Sequence, residues 1–488
     1  MVDELGIGSP IDEPDTGARR TGLILGVLFL SQFMVVLDIT IVNVALPSIQ
    51  HDLQLSTSTL QYVVTAYSAV LGGFLLLGGR GADLFGRRRV LVTGVTVFAL
   101  ASLTAALAQN AGMLLTSRAV QGFGGALLTT AALSTLTTVV EEGTARNRAL
   151  GIWGALSGAA SAVGVVLGGV LSEGPGWRWI FWINVPVGLL AGSAALRWLP
   201  EGRAERSPRL DAPGAVSLTS GLLLTIVGIS RGNIVGWISW ATAGTLGAGI
   251  GLLTLFVVIE LHTRDPLIRF AILRRPTLRT ANVVALFVNG AMGGLFFIVP
   301  LLMQEILDYS PIRTGFAYVP LALASLAGSQ IAARLMGRIG ARKVLSIGLT
   351  TSLVGFLLVA RVPRHGSYLV DLLGPFVLLG LALGLLVVAV QVLAFTGSTQ
   401  TESGLAAGLI NTAQEVGSSI GVAIIATVAV ARTSALGTGV SAQLGGYRVG
   451  LLVGGAIMLS ALLLTRFWML RGPADATGAG TTTAPGSP

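Results

Sequence analysis

The chain of 488 residues has no cysteine and a single lysine, and only 11% of its residues carry a charge, against about 25% in a typical soluble domain. Without cysteine there is no disulfide, no thiolate metal site and no cysteine nucleophile. The three histidines, His51, His262 and His365, stand apart from one another near the ends of apolar runs and offer no ligand cluster for a metal. There is no glycine-rich loop ending in Gly-Lys-Ser/Thr, so no ATP motor lies within this chain. Gly122-Phe123-Gly124-Gly125 falls inside an apolar run and reads as helix packing, not as a nucleotide turn. No nucleophile–base pair or metal cluster is visible within the apolar runs, which argues against an enzyme. The tails are too short to hold a soluble signalling domain, which argues against a sensor.

What the chain has in abundance is apolar sequence and glycine: 53% hydrophobic residues and 66 glycines. Fourteen apolar runs fall at about 22–48, 59–79, 90–109, 112–138, 149–171, 178–199, 212–231, 237–260, 280–304, 312–335, 344–361, 369–395, 404–431 and 447–471. Each is long enough to cross a hydrocarbon core about 30 Å thick as a helix. Arg19-Arg20 precedes the first run, but no small-residue cleavage site ends it, so it reads as a first span and not as a removable signal. Residues 1–20 and 472–488 have the composition of disordered tails.

The net charge of +9 has a pattern. With 14 spans and both termini on one side, 23 of the 31 basic residues fall on that side and 7 on the other, with Arg118 inside a span. Such a bias places both termini in the cytoplasm. It also accounts for the basic residues without a nucleic-acid partner.

The densest charged loop is Gly79-Arg80-Gly81-Ala82-Asp83-Leu84-Phe85-Gly86-Arg87-Arg88-Arg89, between the second and third spans. A shift of 254 residues sets Arg80, Gly86, Arg88, Leu91 and Gly94 on Arg334, Gly340, Arg342, Leu345 and Gly348. Two related six-span halves with two extra spans between them are the layout of a secondary transporter. The expected organisation is a tail (1–20), a first lobe (21–200), a linker with two extra spans (201–279), a second lobe (280–471) and a tail (472–488).

Charge inside the spans is the next signal, because an ionised side chain at the bilayer centre costs about 2.5–3.5 kcal/mol on insertion scales. Asp38 lies deep in the first span, Glu415 in the middle of the thirteenth and Arg118 in the fourth; the other carboxylates lie in tails, loops or near span ends. A desolvated carboxylate can bind and release a proton, and a neighbouring cation opposes that. Asp38 and Glu415 are therefore candidate proton carriers, the alternative being a structural carboxylate bonded to a helix backbone or paired with Arg118. Gly164, Gly168 and Gly169 give the fifth span a small-residue face for close packing or gating. Trp177, Trp179 and Trp182 read as an interfacial aromatic belt. Asn43, Gln121, Asn289, Asn411 and Gln414 are candidate polar anchors of a substrate cavity, or interhelical hydrogen bonders.

Together these features resemble the major facilitator superfamily, and within it the 14-span drug:proton antiporters of bacteria. Four segments carry the resemblance, which spans about residues 20–470: Leu37 to Pro47 in the first span, Gly79 to Arg89, Arg118-Ala119-Val120-Gln121-Gly122 in the fourth span, and Gly176 to Gly188 at the start of the sixth. Three positions depart from the family pattern: Gly81 and Leu84 in the loop, and Val165 where the fifth-span antiporter motif has proline. The resemblance implies an all-α, two-lobed inner-membrane transporter that exports lipophilic molecules, cationic ones among them, by alternating access. It implies a proton gradient as the energy source, no cofactor and no metal, and a functional monomer. It also implies roles. Gly79, Asp83, Gly86, Arg87 and Arg88 would form a cytoplasmic gate, Arg118 would help couple proton movement, and Asp38 and Glu415 would carry the proton. A dedicated exporter of one endogenous metabolite, or an importer, on the same fold is the alternative.

Overall fold

A computed structural model describes residues 16–141, 144–201, 211–263, 266, 272, 274–396 and 400–471. The two tails beyond these limits lie outside the described residues. Among the described residues sixteen α-helices follow one another: α1 Thr16–Asp52, α2 Thr57–Phe85, α3 Arg87–Ala106, α4 Ala111–Val139, α5 Thr144–Glu173, α6 Trp179–Trp182, α7 Asn184–Trp198, α8 Ala212–Val235, α9 Trp240–His262, α10 Pro276–Leu301, α11 Pro311–Ala317, α12 Val319–Ile339, α13 Ala341–Val359, α14 Leu373–Phe395, α15 Gln400–Leu436 and α16 Val440–Arg471. The π-helical turns Leu302–Ile306 and Tyr368–Leu372 extend α10 and lead into α14. Fourteen helical stretches are long and apolar enough to cross a membrane among the described residues, with α6–α7 and α11–α12 each forming one span. Helices are imposed by the solvent: in hydrocarbon every backbone group must be paired within the segment.

The helix ends follow the sequence. Ser56, Asn110, Asp211, Ser239 and Ser310 cap the helices behind them by accepting backbone N–H groups three residues on. The loop glycines Gly86 and Gly340, paired by the internal repeat, are both N-caps with positive φ, +99° and +79°. Only glycine adopts that conformation without strain, and each turns the chain sharply between two spans. α1 begins at Thr16, so the helix takes in residues that composition alone assigns to the tail.

In the first lobe α3 and α4 lie in backbone contact. A Cβ on Gly94 would sit 2.6 Å from the Leu128 nitrogen, and one on Gly124 2.6 Å from the Phe98 nitrogen. The repeat-related Gly348 packs α13 on α14 against the Leu386 side chain. In the second lobe α10 meets α15 through Gly290, Gly293 and Gly294 against Gly417, Ser418 and Ile425. The α8–α9 hairpin lies on the seam between the lobes, where Ile226 packs with Ala69 of α2 and Ala423 of α15. α9 leans on α8 and is otherwise largely exposed.

The start of α1, the end of α16 and the α2–α3 and α12–α13 loops share one end of the bundle, here the terminal face. The opposite end is the far face.

Candidate functional site

Two charge centres lie within the bundle. The first is built on Asp38, which is fully buried, and Arg118, 1% exposed. Arg118 Nη1 is 2.6 Å from Asp38 Oδ2 and donates to Gln121 Oε1, also at 2.6 Å. Arg118 and Gln121 are three residues apart on α4, hence on one face. Gln121 Nε2 donates to Asp38 Oδ1 and to Ser102 Oγ, both at 2.8 Å, and Asn184 Nδ2 donates to Asp38 Oδ1 at 2.8 Å. Arg118 Nε donates to the Val63 carbonyl at 3.0 Å, and its guanidinium lies 4.2 Å from the centre of the Tyr67 ring. Five helices of the first lobe, α1, α2, α3, α4 and α7, thus converge on one neutralised pair. Such a pair is stable at this depth because nearly every lone pair and proton is used.

The second centre is Glu415, half-buried in the middle of α15 and directed at α2. Gly72 makes room for it: a Cβ there would stand 2.8 Å from the Glu415 Cβ. Ser68, one turn earlier on α2 and buried, hydrogen-bonds its carboxylate. No cation pairs with Glu415 among the described residues. α2 joins the centres, because Tyr67, next to Ser68, is within electrostatic reach of Asp38, Arg118 and Glu415 alike. The Tyr67 hydroxyl is buried without a hydrogen-bond partner.

The far face holds the lobes together. Gly168 packs on the Ile41 carbonyl of α1, and Gly164 on Leu37 and Thr40. Gly169 meets Pro311 and Ile312 of α11, in the other lobe. Beside them Glu173 accepts the Ile312 N–H at 2.9 Å, and Gln304 Nε2 donates to the Val44 carbonyl at 3.0 Å. Valine at 165 offers its carbonyl to the close approach of Gly315, where a Cβ would stand 2.7 Å away. On the terminal face Arg87 Nε donates to Ser134 Oγ at 2.8 Å, Arg88 lies 3.9 Å from Glu201, and Arg80 donates to the Pro266 carbonyl of the linker. Gly79 has open space around it. The side chain of Asp83 lies outside the described residues.

The anchor residues divide. Gln121 belongs to the Asp38 network, and Asn43 is buried. Asn289, Asn411 and Gln414 are half-buried, and the Asn289 amide donates to the Ala285 carbonyl of its own helix at 2.9 Å. Trp177 is not part of an interfacial belt. It is 4% exposed, its indole donates to Asp52 at 3.0 Å, and Arg178 bonds both Asp52 and the Ala108 carbonyl. The indole N–H takes an internal acceptor, which draws the ring out of the membrane interface; Trp179 remains exposed.

Sequence reasoning missed Asn184, Ser102, Tyr67 and Ser68. Asn184 stood within the Gly176–Gly188 segment, and Tyr67-Ser68 is a polar pair in an apolar run. It also missed Glu305, which lies in the π-helical turn beside the bridging Gln304 and accepts the Tyr447 hydroxyl at 2.5 Å. Position near a span end masked that carboxylate.

A membrane bundle of two repeated lobes with charge centres at mid-depth defines a transporter and not an enzyme, and comparison with known proteins agrees. The chain belongs to the Major Facilitator Superfamily, whose family model matches residues 28–422. It is 37% identical to the puromycin resistance protein pur8 of Streptomyces alboniger over 95% of this chain and 94% of that one. It is 35% identical to the cephamycin export protein CmcT of Amycolatopsis lactamdurans over 92% of each, and 32% identical to the multidrug resistance protein Stp of Mycobacterium tuberculosis over 83% and 75%. The fold is shared with the human organic anion transporter MFSD10 (TETRAN), at a TM-score of 0.61 and 15% identity, over 91% of this chain and 99% of that one.

Proposed function

We propose that this protein exports drug-like or antibiotic molecules across a bacterial inner membrane in exchange for protons, working as a monomer with the terminal face in the cytoplasm. The orientation rests on the 23-to-7 distribution of basic residues. Export rests on the similarity to named resistance and export proteins.

The mechanism is carried by one observation: Glu415 faces α2 of the opposite lobe with a serine hydroxyl and no cation as its partner. A carboxylate at a moving interface is exposed to a different environment in each state, so its proton affinity alternates with the lobes. Asp38 and Arg118 form a fixed charge pair that transmits its state through Tyr67 on the shared helix. The closure of the far face by α5 and α11 supports a state open toward the terminal face. Substrate would enter from the terminal face among Asn289, Asn411 and Gln414 in a largely apolar cavity, and the lobes would rock about the seam sealed by α8. Neither a cofactor nor a metal is needed, because the proton gradient supplies the energy. Lipophilic cations are the preferred cargo, since a deprotonated Glu415 can pair with them. The similarity to a cephamycin export protein favours a second reading, a dedicated exporter of one endogenous metabolite.

The test is uptake of puromycin and of ethidium into inverted membrane vesicles. Accumulation that a protonophore abolishes is the expected result. Accumulation indifferent to the protonophore would remove the proton from the mechanism, and transport of neither compound would turn the assignment toward the single-metabolite exporter.

A further inference from the structure

At the far-face rim of the second lobe, away from both charge centres, is a cavity of about 340 Å³ lined by Tyr309, Arg313, Phe316, Ala317, Tyr368 and Leu369. Two of its donors are unused. The Tyr309 side chain is 6% exposed, and its hydroxyl is buried without a hydrogen-bond partner. The guanidinium of Arg313 lies 3.8 Å from the centre of the Tyr309 ring, and no carboxylate among the described residues pairs with it. The nearest acids in sequence do not neutralise it: Asp371 accepts the Ser367 N–H at 2.7 Å, and Asp308 forms no ion pair among the described residues. The third polar group, the Tyr368 hydroxyl, is spent on the Ala317 carbonyl at 2.7 Å and fixes the cavity wall.

The surroundings are apolar. Phe316 is 56% exposed, Leu369 73% and Val370 79%, at the point where two apolar spans, Pro311–Ile339 and Tyr368–Phe395, begin. Large apolar side chains exposed at the start of a membrane span suit contact with acyl chains. A planar cation and a phenol hydroxyl set above an apolar collar match a phosphate group that carries acyl chains.

We propose that this cavity binds the phosphate headgroup of a membrane phospholipid, with Arg313 and Tyr309 donating to the phosphate oxygens and the acyl chains lying along Phe316, Leu369 and Val370. Tyr309 closes the loop between α10 and α11, and α11 is the element that meets α5 across the lobes. A lipid held here would therefore brace the far-face contact.

The experiment uses the full chain in neutral detergent, with retention of added dioleoylphosphatidylglycerol read by native mass spectrometry and thermal unfolding read in parallel. The wild type should retain the lipid and unfold at a higher temperature with it. Arg313→Gln should lower retention about tenfold, as expected for a lost charge-assisted contact, and Tyr309→Phe about threefold. Arg364→Gln, on the same face but outside the cavity, should leave retention unchanged. Each variant's unfolding temperature without lipid checks its fold. Equal retention by Arg313→Gln and the wild type would overturn the proposal. So would stabilisation by inorganic phosphate equal to that by the lipid, which would make the cavity an anion site without a role for acyl chains.

Discussion

Asp38 and Glu415 are both carboxylates in the middle of membrane spans, yet their surroundings are opposite. Asp38 has a guanidinium at 2.6 Å and amide donors from Gln121 and Asn184, all within one lobe. Glu415 has one serine hydroxyl, no cation among the described residues, and faces the other lobe. A carboxylate that is paired and fully bonded is part of the packing, and its removal disturbs structure. A carboxylate at a seam with a single weak partner holds little in place, and on the proposed mechanism its removal disturbs the cycle and not the fold. On the proposed mechanism burial alone does not make a carboxylate a proton carrier; the absence of compensation does.

The sharpest way to break this contrast is to neutralise each acid with its amide. Glu415→Gln keeps size and a partner for Ser68, so gradient-driven transport in vesicles should fall to background while stability changes by less than about 1 kcal/mol. If Glu415→Gln still shows gradient-driven transport, the seam carboxylate is not the carrier. The next effect is structural. Arg118→Ala should destabilise the protein by about 3–5 kcal/mol, because it leaves Asp38 buried and unpaired. Adding Asp38→Ala to it should recover part of that loss, and thermal unfolding of the four proteins of the cycle measures the coupling. Additive losses would mean that the pair is not a unit.

The smallest effect concerns the closed far face. Gly169→Val places a side chain against Pro311 and Ile312, an overpacking of about 1–3 kcal/mol. That strain is relieved when the lobes part, so the open population should rise about five- to a hundredfold. Because the chain has no cysteine, a single cysteine at Val44 reports this cleanly. Its maleimide labelling should quicken in the Gly169→Val background, and an unchanged rate would mean that Gly169 does not hold the face shut.

Much of the fold was legible. The apolar runs mark all 14 spans, because a helix that crosses hydrocarbon must be continuously apolar for about 20 residues. The repeat was legible through Gly86 and Gly340, because a positive φ at a tight turn admits few other residues. Trp177 was misread because an aromatic at a span end looks the same whether it faces lipid or bonds inward to Asp52. Glu305 was overlooked because a carboxylate near a span end reads as solvated, whereas the π-helical turn after Pro300 brings it to Tyr447.

By itself the sequence determined that this is a multi-span membrane protein of two repeated halves, and that three charged side chains lie where charge is costly; length, composition and period are properties of the chain read in one dimension. Only the tertiary structure decided which of those charges neutralise each other. Arg118 meets Asp38 across 80 residues and Asn184 joins them from 146 residues away, while Glu415 falls to α2 and a serine. The rotation of each helix about its axis, set by which glycines let two backbones touch, aims the side chains, and no local pattern encodes that rotation.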